Sequence, residues 1–295
     1  MSAAVIGIDL GGTRIKGVLL DSQRNVLEQL YTPTNDDELA GWRDAVLECV
    51  NSLQSKAGTQ QLPVGISAPG LPNATNTSIA FMPGRLQGLE NFDWSTFLKH
   101  PAFVLNDAVA ALLAEARLGA AAGKMNVAML TLGTGVGGAI LVNGQPYQGA
   151  FNKAGHIGHM VIDDEGEPDV TGMPGSLEDA IGNVTIAKRS EGRFSSTHEL
   201  LDACKNDDVF AKEVWLKSVR KLAIGLASVT NILSPETIVL GGGITEAGEA
   251  LFHPLEEYMG LYEWRAGGNR VNIVKAHFGD MAGAIGAACF AMEKH

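Results

Sequence analysis

Residues 4–21 read Ala-Val-Ile-Gly-Ile-Asp-Leu-Gly-Gly-Thr-Arg-Ile-Lys-Gly-Val-Leu-Leu-Asp. An apolar run carries one acid, Asp9, breaks at Gly11-Gly12-Thr13, and resumes at once from Ile15 to Leu20. Two β-forming runs joined by a glycine turn predict a β-hairpin. Glycines at the tip let backbone N–H groups approach a phosphate closely, as in anion-binding nests. An ordinary edge hairpin with an aspartate at a buried end fits the same residues.

The pattern recurs. Residues 127–142 read Val-Ala-Met-Leu-Thr-Leu-Gly-Thr-Gly-Val-Gly-Gly-Ala-Ile-Leu-Val, again strand, Gly/Thr turn and strand. Two such hairpins point to two related half-domains facing one phosphate chain. A third cluster, Gly241-Gly242-Gly243, follows the apolar run Thr237–Leu240 in a spacing unlike a dinucleotide fingerprint. A Gly-x4-Gly-Lys-Ser/Thr loop is absent from the sequence, which disfavours a P-loop enzyme.

The chain has 295 residues, 45% hydrophobic and 19% charged, enough for one large or two medium cores. A net charge of −11 without a basic stripe argues against a nucleic-acid partner. Cys49, Cys204 and Cys289 are far apart, form no Cys-x2-Cys pair and read as small buried hydrophobes. With no signal peptide and no apolar stretch long enough for a bilayer, a soluble cytoplasmic protein without a membrane partner is expected.

Helical periodicity covers 38–57, and Leu62–Ser67 reads as a strand turning at Ala68-Pro69-Gly70. Residues 71–92 suit a substrate-side loop. Phe103-Val104-Leu105 is a short strand ending in Asn106-Asp107, followed by an Ala/Leu helix, Ala108–Leu118. Residues 143–176 read as a long glycine-rich region. Helices are expected over 178–190, 197–204 and 208–232. A final helix over 279–293 has small residues that allow very close packing. Asp107 is the candidate catalytic group: a strand's C-terminal end is where α/β folds place ligands, and a helix N-terminus favours a carboxylate. An ionised aspartate there can accept a hydroxyl proton as phosphoryl transfer begins. A simple N-cap is the competing reading.

In order and spacing these pieces resemble the ROK family of sugar kinases (repressor, open reading frame, kinase), over nearly the whole chain. Asp9–Lys16 resembles its first phosphate motif, Leu105–Ala108 its sugar and catalytic-base motif, and Leu132–Gly138 its second phosphate motif. Gly155-His-Ile-Gly-His159 falls where the family has Gly-Glu-x-Gly-His, Gly241–Gly243 resembles its adenosine motif, and 279–288 its closing helix.

The resemblance implies an α/β fold of two actin-like (ribonuclease-H-like) ATPase domains with a cleft between them, 1–118 plus 279–295 and 119–278. It implies a sugar and ATP as substrates, Mg²⁺ as cofactor and a homodimer. Asp107 would be the base. Asn106, His156, His159, Glu178 and Gly70 would form the sugar side. Gly11, Gly12, Thr13, Lys16, Gly133, Thr134, Gly135, Gly241, Gly242 and Gly243 would hold ATP, and Asp9 would organise Mg²⁺ through water. A catalytically idle sugar or nucleotide sensor of the same fold is the alternative. A repressor is not expected, because the strand starting at Ala4 leaves no room for a helix-turn-helix before it.

The chain departs from the family pattern in three places. Zinc-binding members carry Cys-x-Cys-Gly-x-x-Gly-Cys-x-Glu, where this chain has Asp169-Val-Thr-Gly-Met-Pro-Gly-Ser-Leu-Glu178. Asp169, Thr171 and Ser176 replace the cysteines, so no structural zinc is expected, and His159 is left as a sugar ligand or a loop support. His156 stands at the sugar-binding glutamate position, which puts the choice of sugar in question. Gly84-Arg85 stands where many members have an asparagine in the sugar loop.

Overall fold

A computed structural model describes residues 4–34, 41–59, 61–82, 84 and 86–295. The chain forms two compact α/β units: Met1–Gly123 with Pro146–Ala154 and His277–His295, and Lys124–Gln145 with Gly155–Ala276. Residues 119–123, 146–154 and 277–278 thus lie with the first unit, not the second as the sequence had it. Fully buried Glu115 explains two of these segments. Its carboxylate accepts from the N–H groups of Ala120 at 2.8 Å, His277 at 2.8 Å and Phe278 at 2.9 Å. Asn152 ties the third by donating to the Pro72 carbonyl at 3.0 Å.

In the first unit, β1 (Val5–Leu10), β2 (Arg14–Leu20) and β3 (Val26–Pro33) form an antiparallel meander. The strands β4 (Val64–Ala68) and β7 (Ala102–Asn106) continue it in parallel, giving the order β3-β2-β1-β4-β7. A short ribbon, β5 (Leu71–Pro72) with β6 (Ile79–Phe81), occupies part of the expected 71–92 loop. The Arg85 position lies outside the described residues, as do 38–40 of the first expected helix. That helix, α1, runs Gly41–Ala57 and buries Trp42, Val46, Cys49, Val50 and Leu53. A five-residue helix, α2 (Trp94–Leu98), and then α3 (Asp107–Leu118) flank β7.

The C-terminal helix, Ala282–Lys294 (α9), is buried from Ala282 to Ala291. Its close packing is against β1, β4 and α3, and glycines make it possible. A Cβ on Gly7 would lie 1.9 Å from the Ala284 carbonyl oxygen, one on Gly65 1.9 Å from that of Ala287, and one on Gly286 1.6 Å from that of Ala110.

The second unit repeats the topology. Its strands β8 (Val127–Leu132), β9 (Val136–Val142), β10 (Gln145–Pro146, of which Gln145 belongs to this unit), β11 (Thr237–Gly241) and β12 (Asn272–Lys275) run in the order β10-β9-β8-β11-β12. Asn143 and Gly144, at φ 51° and 76°, make the primed two-residue turn into β10, so the 143–176 region is not bare loop. The expected helix over 178–190 breaks at Gly182 into α4 (Leu177–Ile181) and α5 (Ile186–Arg189). The backbone leaves the helix there so that Asn183 and Val184 N–H groups donate to the Gly133 and Thr134 carbonyls, each at 2.9 Å.

Helices α6 (Thr197–Lys205) and α7 (Val209–Leu233) follow as expected; α8 (Glu249–Tyr262) was not foreseen, because Pro254 sits inside it. Proline lacks the N–H that would bond the Ala250 carbonyl, and that carbonyl instead accepts Trp215 Nε1–H at 2.8 Å. Cys49 and Cys289 are buried as expected, whereas Cys204 is only partly so. No helix among the described residues is long and apolar enough to cross a membrane.

Replacing Gly65 with Ala should lower unfolding stability by about 3 kcal/mol or more, because the Ala287 backbone cannot yield. At exposed Gly260, whose nearest neighbour would be Arg265 Nη1 at 3.9 Å, the same change should stabilise by about 0.5–1 kcal/mol. Urea unfolding of the two variants checks the opposite signs.

Candidate functional site

The C-terminal ends of three neighbouring parallel strands, β1, β4 and β7, carry the first group of residues. Asp9 lies opposite Lys16 in the antiparallel ladder and opposite Ser67 in the parallel one. Lys16 Nζ donates to its Oδ2 at 3.0 Å, and the Ser67 hydroxyl donates to its Oδ1 at 2.7 Å. Ser67 had no signal in the sequence; only register brings it to Asp9. In the hairpin tip, the Gly11 N–H donates to the Arg14 carbonyl at 3.2 Å and the Gly11 carbonyl accepts from the Thr34 hydroxyl at 2.6 Å. Those bonds fix the turn, and Thr13 remains exposed at its tip.

One strand further along, Asn106 settles which residue caps α3. Its Oδ1 accepts from the N–H groups of Ala108 at 3.0 Å and Val109 at 3.4 Å. Its Nδ2 donates to the carbonyl of Gly70 at 3.1 Å, and Gly70 holds φ 98°. Asn106 is thus buried and structurally engaged, while Asp107 is the first helical residue and exposed. The carboxylate of Asp107 also accepts from the Ala108 N–H at 2.8 Å.

In the second unit the Leu132–Gly138 turn is held from outside. Glu178, on α4, accepts the Val136 N–H on Oε2 at 2.8 Å. A Cβ on Gly135 would sit 2.2 Å from that oxygen, so this glycine answers to Glu178. Gly133, by contrast, has open space where a Cβ would be. A cavity of about 830 Å³ opens beside the turn. Of the expected nucleotide residues, Gly133, Thr134 and Gly243 line it. Gly241 ends β11, and Gly242, at φ 87°, backs onto the Leu132 carbonyl. Other parts of the wall include Asn183, Leu201, Trp215, Leu216 and Ile244, charged side chains such as Lys205 and Glu246 line it too, and the partly buried Cys204 also borders it. Sequence reading missed these residues, because a groove assembled from several helices leaves no local pattern.

His156 precedes and His159 ends a single 3₁₀ turn, Ile157–His159, with their rings stacked at 6.4 Å between centroids. His159 Nδ1 lies 3.0 Å from Asp169 Oδ2. Asp169 Oδ1 accepts from the Thr171 N–H at 2.7 Å, the Thr171 hydroxyl at 2.7 Å and the Met173 N–H at 3.1 Å. Two of the three replaced cysteine positions are therefore joined to each other and to His159 by hydrogen bonds. The third, Ser176, caps α4. Burial opposes the Asp169 charge, but the hydrogen bonds from Thr171, His159 and Met173 outweigh it and hold the carboxyl well below the usual carboxylate range.

The described family model for ROK matches residues 5–294. A glucokinase from Halalkalibacterium halodurans is 31% identical, with 95% of this chain and 92% of that protein covered. An N-acetylmannosamine kinase from Shigella flexneri is 28% identical, covering 97% and 98%. Among solved structures, a ROK hexokinase from Thermus thermophilus superposes with a TM-score of 0.85 at 28% identity, covering 99% of this chain and 98% of that one.

The Asp169 cluster makes stability pH-dependent in a defined direction. A folded carboxyl below its unfolded value contributes stability that is fully present above about pH 4 and is lost as the pH falls further. The stability gap between the wild type and Asp169→Ala should therefore be larger at pH 5 than at pH 3, a range below the ordinary histidine titration. Urea titrations at the two values check it; a constant gap would contradict it.

Proposed function

Because the chain belongs to the ROK family, we propose that it is an ATP-dependent sugar kinase. It transfers the γ-phosphoryl group of ATP to a hydroxyl of an unphosphorylated hexose, with glucose the default, or of an N-acetylhexosamine. The glucokinase and N-acetylmannosamine kinase relatives support these two substrate classes. The observation that carries the reading is the capping of α3 by Asn106, which leaves the Asp107 carboxylate exposed at the end of β7. Asp107 accepts the sugar hydroxyl proton as that oxygen bonds to the γ-phosphorus and ADP departs. The α3 N-terminus favours its negative charge.

The Gly11–Thr13 and Gly133–Gly135 turns hold the phosphates, and the 830 Å³ cavity takes the nucleoside. An apolar wall of Leu201, Trp215, Leu216 and Ile244 suits a purine. Mg²⁺ bound with ATP would supply neutralisation of the phosphate charge. Asp9 suits an outer-sphere role, since Lys16 and Ser67 already donate to its two oxygens. With little covalent work for the protein, its residues act mainly by alignment and charge neutralisation. The same reading makes the protein a cytoplasmic homodimer without a nucleic-acid partner; the net charge of −11 supports the last point.

Asp107→Ala should lower kcat by about 10²–10⁴ while the sugar Kd changes by less than about threefold. Steady-state kinetics with calorimetry of sugar binding separates the two quantities. A folded variant with near-normal turnover would remove Asp107 from the reaction.

A further inference from the structure

The hydrogen bond between His159 and Asp169 fixes more than a loop. The Asp169 side chain is fully buried, whereas the His159 imidazole keeps 30% of its surface exposed. An ionised carboxylate accepts hydrogen bonds and donates none. With Asp169 Oδ2 3.0 Å from Nδ1, the ring hydrogen of neutral His159 must sit on Nδ1. The lone pair of Nε2 is then bare. The three donors on Asp169 Oδ1, from Thr171 and Met173, hold the carboxylate in place, so the imidazole orientation is set from behind. A metal ion on Nδ1 would have the opposite effect: it would occupy that lone pair and leave the hydrogen on Nε2.

We infer that Asp169 and His159 form a substrate-reading pair in which Nε2 accepts a hydrogen bond from a donor group on the sugar. Asp169 is the positioning residue that fixes the tautomer. The inference rests on the proposed function together with the sugar-side place that the family resemblance implies for His159, and adds the direction of the contact. The group read here is a hydroxyl or an amide N–H. A ring ether, a carbonyl or a fluorine, which only accepts, is rejected.

Asp169→Asn tests the pair without changing its shape. The new amide keeps an oxygen for Thr171 and Met173 and offers N–H to Nδ1, which moves the ring hydrogen to Nε2. Nitrogen-15 NMR of histidine-labelled, sugar-free protein should show a protonated Nδ1 and bare Nε2 at His159 in the wild type, and the reverse in the variant. Calorimetry with glucose and its monodeoxyfluoro analogues supplies the second readout. Wild type should lose about tenfold in affinity when fluorine replaces the hydroxyl at the position read by His159. That penalty should shrink to about twofold in Asp169→Asn and vanish in His159→Ala, with penalties at other positions unchanged. A protonated Nε2 in the wild type, or equal losses at every position in either variant, would overturn the inference. If the first variant does not fold, the wild-type spectrum and His159→Ala decide it alone. Failure of the wild type to bind glucose or any N-acetylhexosamine would overturn the kinase reading and the reading role together. Normal sugar binding with an unchanged fluorine penalty in His159→Ala would overturn only the role.

Discussion

The first unit depends on one steric constraint: a helix approaches a sheet so closely that backbone meets backbone at glycines. Gly7 and Gly65 on the sheet meet the carbonyls of Ala284 and Ala287, and Gly286 on the helix meets that of Ala110. Contacts this close bring β1, β4, α3 and α9 into one rigid block. The block ends where the chemistry is proposed to begin. A Cβ on Gly283, in the first turn of α9, would lie 2.5 Å from Asp9 Oδ1 and 3.0 Å from the Ser67 hydroxyl. The glycines that allow the helix to dock therefore also leave room for the carboxylate and its donor. Sites built on strand ends and helix starts hold geometry better than sites on loops, and Asp9, Asn106 and Asp107 all have such places.

Structure is legible in the sequence wherever a residue's neighbours along the chain determine it. Both glycine–threonine hairpins, the strand ending in Asn106 and the small-residue final helix belong to that class. The division of labour between Asn106 and Asp107 was not legible, because either residue can cap a helix and only the Gly70 contact draws the first one inward. Ser67 reached Asp9 through strand register, and the wall of the second-unit cavity came from helices far apart in sequence. The helix over Glu249–Tyr262 was hidden by Pro254, whose missing N–H is compensated by a tryptophan from another helix.

Loss of the cysteines was legible, but what takes their place was not. Asp169 looked like a poor metal ligand. In the fold it is a buried acceptor that gathers Thr171, Met173 and His159 around itself. Hydrogen bonds thus hold this loop. The exchange also reaches the exposed face of His159, because what binds one ring nitrogen decides whether the other donates or accepts.

The central claim is phosphoryl transfer from ATP to a sugar, and sugar-dependent release of ADP tests it most directly. Purified protein with ATP and Mg²⁺ is assayed against a panel of hexoses and N-acetylhexosamines, and each sugar is then weighed by mass spectrometry. The account predicts ADP release that requires the sugar, with one phosphoryl group gained by the sugar for each ADP formed. Binding of both sugar and nucleotide without sugar-dependent ADP release would contradict it.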